Sequence, residues 1–370
     1  MSSLKYNSPQ PISVVSMGGN YQVEFGSEVQ GTFAQFINRN SVFVVCDKNV
    51  SRLYGNILST LTDRHPAFFI DADEQSKTLE GVSKLVSWLQ DGGAHRKSTL
   101  LAIGGGIVQD LCAFTAHIYF RGIDWIFFPT TLLAMCDSCI GAKCGINHNQ
   151  FKNQIGVFHA PRKIYIAMEF LGTLDVRDLK SGFGEILKLL LTGERQDFEL
   201  FERYLASNPG SLLSHDLPTL IHRALEIKRE IIEDDEFEAD RRRILNFGHT
   251  FGHSLETLSA YEVPHGLAVA WGIDLANHIA FRRGLMSSDL AERVRRLIRV
   301  HLAFEMKYAP NVRDLIEGTK KDKKVESGRV NLILLSESPF ALRVVPQTYD
   351  NELNSWVQEY LEKPYAFAGC

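Results

Sequence analysis

The first half of the chain alternates short apolar runs with helix-like segments. Between Ser41 and Met168, five runs are rich in β-branched and aromatic residues: SVFVVCD, AFFIDAD, STLLAIGGG, DWIFFPTT and RKIYIAM. Segments such as TLEGVSKLVSWLQ, with apolar residues every three or four positions, lie between them. Strands that alternate with helices predict βαβ units, and therefore an α/β domain with a mostly parallel sheet.

The second half has a helical pattern. Apolar residues recur at three- and four-residue intervals in GEILKLLL, LPTLIHRALEIKREIIEDD, GLAVAWGIDLANHIAFRRG and LAERVRRLIRVHLAFEM. Near the end, GRVNLILL and FALRVV indicate two strands, interpreted as a hairpin. The pattern changes near Gly172, which predicts an α/β domain over residues 1–172 and a mainly helical domain over 173–370.

Length and charge support two domains and narrow the range of partners. A chain of 370 residues exceeds the size at which single cores usually stop growing. Its net charge of -4 gives no global reason to expect nucleic acid or an acidic membrane as partner. MSSLKYNSPQPISVV lacks the apolar centre of a signal peptide, so we expect a cytoplasmic protein. The six cysteines, including those of CDSC, have no zinc-finger spacing and are expected to be reduced thiols.

LAIGGGIVQD, from Leu101 to Asp110, is a strand that runs into three glycines and then a helix. Such a turn lets backbone approach a phosphate, and a helix N-terminus offers unpaired N–H groups to an anion. The segment is not the G-x-G-x-x-G fingerprint. A dinucleotide pyrophosphate site and a turn without a ligand both remain open.

Charged side chains gather in the next segment, which is otherwise apolar and glycine-rich. Within YFRGIDWIFFPTTLLAMCDSCIGAKCGINHNQFKN lie Arg121, Asp137, Lys143, Lys152 and Asn153. Arginine and lysine beside glycines can surround a phosphate or carboxylate. Each residue alone fits a solvated loop, whereas the group together favours an anion site.

A carboxylate and three imidazoles in the helical half suggest a metal site. Glu185 and Lys188 lie three residues apart in the apolar SGFGEILKLLL, as an ion pair or as a metal ligand with a neighbouring cation. His249, His253 and His265 follow, but Thr250 stands where the H-E-x-x-H motif needs Glu. A carboxylate with two imidazoles and an open position is a common catalytic zinc set. The residues alone do not decide which two histidines bind.

These motifs, taken in order, resemble dehydroquinate synthase and the related sugar phosphate cyclases. The resemblance extends from about Val42 to Leu335 and rests on GGGIVQDL, YFRG, PTTLLAMCDSCIGAKCGINH, FKNQIG, SGFGEILK, IKREII, LNFGHTFGHSLE, PHG and DKKVESG. It implies an N-terminal NAD-binding domain, a helical domain that holds zinc or cobalt, and an active site between them in a homodimer. Separately, neither the net charge nor any apolar stretch indicates a nucleic-acid or membrane partner.

The resemblance assigns roles residue by residue. The implied metal ligands are Glu185, His249 and His265. The implied NAD contacts are Asp47, Asn49, Glu74, Lys77, Gly105, Gly106, Asp110, Thr130, Thr131, Asp137, Lys152 and Thr173. The implied substrate contacts are Lys143, Asn153, Lys188, Lys228, Arg242, Asn246, His253 and a lysine of DKK (Lys323 or Lys324), with Arg121 reaching from the partner subunit.

The implied reaction converts a seven-carbon sugar phosphate to a carbocycle by transient oxidation with NAD, elimination of phosphate, return of the hydride and aldol closure. Asn246 and His253 favour 3-dehydroquinate as the product, with Lys228 and Arg242 on the substrate carboxylate. Gln109 and Cys144 depart from the residues common in that enzyme. Alternatives are a sedoheptulose 7-phosphate cyclase of the valiolone type and an amino-dehydroquinate or 2-deoxy-scyllo-inosose synthase. The remaining alternatives are a metal-dependent alcohol or glycerol dehydrogenase and a catalytically inactive relative that serves as a binding module.

Overall fold

The computed structural model describes residues 8–26, 28–149, 151–307, 309–320 and 329–362. These residues form two compact units. The first unit contains the chain up to Leu174 together with Ser214–Phe237. The second contains Asp175–Leu213 and the chain from Glu238 onward.

A seven-stranded sheet forms the centre of the first unit. Its strands, in chain order, are β1 (Ile12–Val14), β2 (Tyr21–Gly26), β3 (Val42–Asp47), β4 (Ala67–Ile70), β5 (Thr99–Gly104), β6 (Asp124–Pro129) and β9 (Lys163–Ala167). They lie in the order β1-β2-β9-β6-β5-β3-β4, and each neighbouring pair is parallel except β1 with β2. The five predicted strands and the mostly parallel sheet are confirmed. The short β1 and β2 are strands that the pattern did not predict.

Two further strands, β7 (Lys143–His148) and β8 (Phe151–Phe158), pair antiparallel outside this sheet. Their segment reads as a glycine-rich loop in the sequence, because polar residues and glycines interrupt the apolar alternation. The hairpin positions several predicted site residues. Asn147 pairs with Thr78 in an isolated bridge, which ties the hairpin to the chain before α3 (Leu79–Asp91).

Helices cover the sheet of the first unit. They are α1 (Val29–Ala34), α2 (Lys48–Thr62), α3, α4 (Gly106–Ile118) and α7 (Leu217–Asp234). Side-chain caps set two of their starts, since the side chain of Asp47 accepts from the Asn49 amide and that of Thr78 from the Gly81 amide. The strands between these helices are buried on both faces, which explains their nearly continuous apolar sequence.

The second unit is mainly helical, as predicted. Its helices are α5 (Val176–Thr192), α6 (Arg195–Ser207), α8 (His249–Leu258), α9 (His265–Arg282), α10 (Ser288–His301), α11 (Val312–Lys320) and α12 (Asn351–Glu362). Strands β10 (Arg329–Glu337) and β11 (Phe340–Thr348) form the predicted antiparallel hairpin. Helix α9 is buried nearly throughout, and its sequence is mostly apolar, with Asp274, Asn277 and His278 as buried polar residues.

Glycines let helices of the second unit approach backbone to backbone. A Cβ added at Gly184 on α5 would lie 2.0 Å from the carbonyl oxygen of Gly266 on α9. Gly248, which precedes α8, has φ of +77°, a left-handed conformation that favours glycine. Close contacts of this kind bring the starts of α8 and α9 next to α5, where the candidate metal ligands lie.

Within the described ranges, the structure contains no helix that is both long enough and apolar enough to span a membrane.

Candidate active site

Three helices bring a carboxylate and two imidazoles together in the second unit. Glu185 lies on α5, while His249 and His265 are the first residues of α8 and α9. Oε1 of Glu185 is 3.0 Å from Nε2 of His265 and 3.8 Å from Nε2 of His249. Glu185 is fully buried. The three side chains offer ligand atoms that all lie within 4.8 Å of one another, a spacing that could hold a metal ion.

The Nδ1 atom of each imidazole has a hydrogen-bond acceptor. Nδ1 of His249 donates to the carbonyl oxygen of Phe247 at 3.1 Å, and Nδ1 of His265 to Oε2 of Glu256 at 3.2 Å. Because these acceptors place a proton on Nδ1, the Nε2 lone pair of each neutral ring points toward Glu185. An acceptor on a neighbouring group that fixes the tautomer is typical of histidines that bind metal.

The charge balance around Glu185 fits a cation. Both of its carboxylate oxygens are buried without a well-directed hydrogen bond from the described residues, although Nζ of Lys188 is 2.5 Å from Oε2. Burial alone would raise the pKa of Glu185, but Lys188 and then His265 lower it well below its usual range. Burial alone would lower the pKa of His265, but Glu256 and Glu185 raise it to about 10. In the absence of a metal, a proton on His265 therefore supplies the positive charge that the carboxylates attract.

Sequence reasoning missed Glu256, although it lies in the quoted LNFGHTFGHSLE. The signal was present, because residues three and seven positions apart share one face of a helix, and Glu256 follows His253 and His249 at those distances. Glu256 also belongs to a second cluster with metal-ligand spacing, formed with His253 and His265. The assignment of the metal to His249 and His265, with His253 left for the substrate, stays a prediction.

In the first unit, charged and polar side chains form a cluster around Lys77. Its ammonium nitrogen lies 2.7 Å from Oδ1 of Asn153, 3.0 Å from Oδ2 of Asp110 and 3.4 Å from Oε1 of Glu74. Nζ of Lys152 lies 3.4 Å from the other oxygen of Glu74. The structure thus brings together five residues that the sequence analysis assigned to NAD or substrate.

Neighbouring carboxylates stabilise the positive charge of Lys77. Lys77 is buried, and burial alone would lower its pKa, but Asp110 and Glu74 outweigh this and raise it. Asn147 completes the cluster by donating to Oε1 of Glu74 at 2.8 Å. Asp110 also accepts from the amide of Gly145 at 3.2 Å. These bonds join α4 to the β7–β8 hairpin, so the polar cluster orders both elements.

The glycine turn lies at the carboxyl edge of the sheet. β5 ends at Gly104 and α4 begins at Gly106, where an added Cβ would meet no atom within 4 Å. Open space before a helix N-terminus suits a phosphate group. At the ends of the neighbouring parallel strands, Asp47 is the last residue of β3 and Asn49 follows it, while Thr130 and Thr131 follow β6. Ligands of open α/β sheets bind at this edge.

Lys228 contacts Asp137 inside the first unit. Its Nζ donates to the Asp137 carbonyl oxygen at 2.6 Å and lies 3.3 Å from the carboxylate. Lys228 is on α7, and Asp137 is on a single π-helical turn, Ala134–Ser138. Such turns are rare and frequently occur at functional sites.

The remaining predicted residues occupy other positions. Thr173 contacts the hydroxyl of Tyr54 at 2.9 Å, and Asn246 donates to Glu238 at 2.6 Å. Arg242 is buried in a short 3-10 helix, Arg241–Asn246. Lys143 and Arg121 are exposed. Lys323 and Lys324 lie outside the described residues.

Comparisons with known proteins agree on one family. Residues 67–181 match the family model for the N-terminal part of 3-dehydroquinate synthase, and residues 182–325 match the C-terminal model. The 3-dehydroquinate synthase of Caldanaerobacter subterraneus is 38% identical over 308 residues, which cover 80% of this chain and 85% of that protein. The 3-dehydroquinate synthase of Coxiella burnetii is 36% identical over 330 residues, 87% and 90% of the two chains.

Solved structures share the fold. A 2-deoxy-scyllo-inosose synthase complexed with carbaglucose-6-phosphate, NAD+ and Co2+ has a TM-score of 0.83 at 23% identity and covers 96% of this chain and 100% of that chain. A 2-epi-5-epi-valiolone synthase from Streptomyces hygroscopicus, with NAD+ and Zn2+ bound, has a TM-score of 0.78 at 28% identity, with 95% and 98% covered. Glycerol dehydrogenase from Schizosaccharomyces pombe has a TM-score of 0.61 at 13% identity, with 91% and 87% covered.

Proposed function

The chain belongs to the 3-dehydroquinate synthase family, and from this premise we propose that it is an NAD- and metal-dependent sugar phosphate cyclase that makes 3-dehydroquinate. The substrate is then a seven-carbon keto-acid phosphate. Relatives at 36% and 38% identity over most of the chain carry this function by name. The single observation that carries the proposal on the structural side is the buried Glu185 facing two imidazole nitrogens.

We propose Glu185, His249 and His265 as the metal ligands. This set contains a fully buried carboxylate and two rings whose Nδ1 protons are already engaged. Three protein ligands with a position left for a water or substrate oxygen are typical of catalytic zinc. The two cyclases of similar fold have Co2+ or Zn2+ bound in their solved structures, and we expect either ion to fit this donor set.

For NAD, we propose the carboxyl edge of the sheet in the first unit. The glycine turn at Gly105 and Gly106 would receive the pyrophosphate, with Asp47, Asn49, Thr130 and Thr131 at the ends of the flanking strands. Glu74, Lys77, Asp110, Asp137, Lys152 and Thr173 complete the proposed contacts. The open space at Gly106 supports this assignment.

When bound, NAD takes up and later returns a hydride, and a divalent metal ion polarises the oxygen on the reacting carbon. The chain supplies charge and orientation. Lys188 keeps its ammonium group beside Glu185, and His253 is one helical turn from His249, with ring centroids 5.1 Å apart. We assign the substrate phosphate and hydroxyls to these two side chains and to Lys143, Asn153, Asn246 and Arg121. Cations fixed in advance stabilise the departing phosphate without reorganisation.

The reaction balances as an elimination followed by a ring closure. A C–H bond next to the transient ketone gives up its proton, and the C–O bond to phosphate breaks with its electrons on phosphate. The sugar ring then opens, an aldol step forms the new C–C bond of the carbocycle, and the carbon skeleton undergoes no net oxidation. The lysines and arginines distinguish this proposal from a glycerol dehydrogenase. A small neutral alcohol needs no such set of cations, and the likeness to glycerol dehydrogenase at 13% identity concerns the fold.

One assay tests the proposed function. The protein is incubated with NAD+, Zn2+ or Co2+ and the seven-carbon keto-acid phosphate, while phosphate release and absorbance at the NADH band are followed together. We expect many phosphates released per protein molecule without lasting NADH. NADH in proportion to product would instead establish a dehydrogenase. Turnover of sedoheptulose 7-phosphate in place of the keto acid would favour the valiolone-type alternative.

We also propose a cytoplasmic homodimer. Arg121 is exposed, so its side chain is available to a partner subunit. Sedimentation analysis that gives a monomer with full activity would contradict the dimer.

A further inference from the structure

The side chain of Gln109 forms a reciprocal pair of hydrogen bonds with Ser138. Its Nε2 donates to the Ser138 carbonyl oxygen at 2.7 Å, and the Ser138 hydroxyl donates to its Oε1 at 2.7 Å. Gln109 is only 5% exposed. A buried carboxamide that uses both ends on one residue fixes that residue in position and orientation.

This pair connects two parts of the proposed site. On one side, the backbone N–H of Gln109 donates to the Gly105 carbonyl oxygen at 3.0 Å, in the first turn of α4. On the other side, Ser138 is the last residue of the π-helical turn, next to Asp137. Asp137 in turn receives Lys228 through its carbonyl oxygen at 2.6 Å. The contacts therefore run from the glycine turn, through Gln109 and Ser138, to the ammonium group of Lys228.

We propose that Gln109 is a positioning residue that clamps the π-helical turn to α4 and so fixes Asp137 and the Lys228 ammonium group relative to the glycine turn. Its role in turnover rests on the proposed function, which places NAD at that turn and the substrate at Lys228. π-Helical turns are rare and frequently occur at functional sites, so a side-chain clamp at the end of this turn has a clear purpose.

The first test measures the clamp without any activity. Cys136 and Cys139 flank Asp137 and Ser138 and are 0% and 2% exposed. Labelling of the native protein with iodoacetamide, resolved by peptide mass spectrometry, reports opening of this turn. We expect Gln109→Ala and the isosteric, apolar Gln109→Met to raise labelling of these two thiols at least about 10-fold. Ser138→Ala, which loses one of the two bonds, gives a smaller increase.

Controls separate local opening from general unfolding. Cys46 and Cys112, both 0% exposed in the same unit, serve as internal references whose labelling stays unchanged. Gln90→Ala, on the exposed side of α3, is the matched glutamine control and labels like wild type. Wild-type labelling of Cys136 and Cys139 in Gln109→Met overturns the clamp.

The second test measures function. With phosphate release as the readout, Gln109→Met lowers kcat/KM for the keto-acid phosphate about 10-fold and raises the Kd for NAD by less, because the backbone of the glycine turn remains. An unchanged kcat/KM together with raised labelling overturns the positioning role. Absence of phosphate release from wild type would refute the proposed function instead, while the labelling result still decides the clamp.

Discussion

The Nδ1 atoms of His249 and His265 donate hydrogen bonds to different kinds of acceptor. A backbone carbonyl fixes the first ring, whereas the carboxylate of Glu256 fixes the second. A carboxylate makes its histidine more basic and a better ligand than a carbonyl does. The same arrangement explains why the pKa of His265 rises to about 10, with burial opposing and the two carboxylates prevailing. The two carboxylates beside His265 therefore stabilise a positive charge on its ring.

Removal of single ligands separates the two clusters with metal spacing. We expect Glu185→Ala and His249→Ala to weaken zinc binding by more than about 100-fold, since loss of an outer-shell partner alone costs about 10- to 100-fold. His253→Ala retains zinc, because its ring is not in the proposed set. Metal content after dialysis and chelator competition on the apo protein give the measurement.

An exposed carboxylate in the same region provides the matched control. Glu262→Ala, beyond the end of α8, keeps wild-type affinity for zinc. If His253→Ala were empty while Glu185→Ala and His249→Ala stayed full, the metal would belong to His253, Glu256 and His265, and our assignment would be wrong.

At the scale of elements, backbone contact between helices determines the site. The candidate ligands come from α5 and from the first residues of α8 and α9, so their spacing depends on how closely these helices approach. A Cβ on Gly266 would lie 1.8 Å from the Ser181 carbonyl oxygen, and one on Gly272 would lie 2.0 Å from that of Gly248. Any side chain at these positions pushes the helices apart.

A single added methyl group should therefore affect both stability and metal binding. We expect Gly184→Ala to lower the free energy of unfolding by about 2–3 kcal/mol, as overpacking typically does, and to reduce zinc affinity. Gly55→Ala, on exposed α2 with no atom within 4 Å, is the control. It should stabilise by up to about 1 kcal/mol, since alanine is the better helix former. Urea unfolding and zinc titration of both variants check this, and normal zinc binding in Gly184→Ala would contradict it.

At the scale of the whole molecule, the clusters proposed for NAD and for the metal ion lie in different units. The Lys77 cluster, the glycine turn and the Lys228–Asp137 pair lie in the first unit, and the proposed metal ligands lie in the second. Helix α7, although it follows α5 and α6 along the chain, belongs to the first unit.

Substrate charge tests the role assigned to Lys228. We expect Lys228→Met to lower kcat/KM for the keto-acid phosphate about 10- to 100-fold, since a hydrogen bond to a charged group contributes about 1.5–3 kcal/mol. A heptulose phosphate without the carboxylate is a poor substrate for wild type and loses little further in the variant. Lys84→Met, on the exposed face of α3, serves as the lysine control. Equal losses on both substrates would show that Lys228 does not read the carboxylate.

The sequence alone determined the elements whose periodicity is strong and local. The five inner strands, the long helices of the second half and the β10–β11 hairpin follow from the spacing of apolar residues. The motif order also indicated the family, which the comparisons confirm, and it supplied the site residues that we propose. The β7–β8 hairpin and the π-helical turn were not predicted, because tertiary contacts rather than apolar periodicity stabilise them. Strands β1 and β2 were missed although buried and exposed residues alternate in β1 and at the start of β2.

Only the tertiary structure showed which side chains meet. The i, i+4 spacing of His249 and His253 predicts that they share a helix face, yet the Glu185 carboxylate, 3.8 Å from His249, comes from α5, 64 residues earlier in the chain. Glu256 on His265 and Gln109 on Ser138 are also contacts between separate elements. Periodicity describes which face of an element is buried, whereas the partner across that face depends on how closely the backbones pack. Here glycines decide that distance, and they carry no side chain from which a partner could be read.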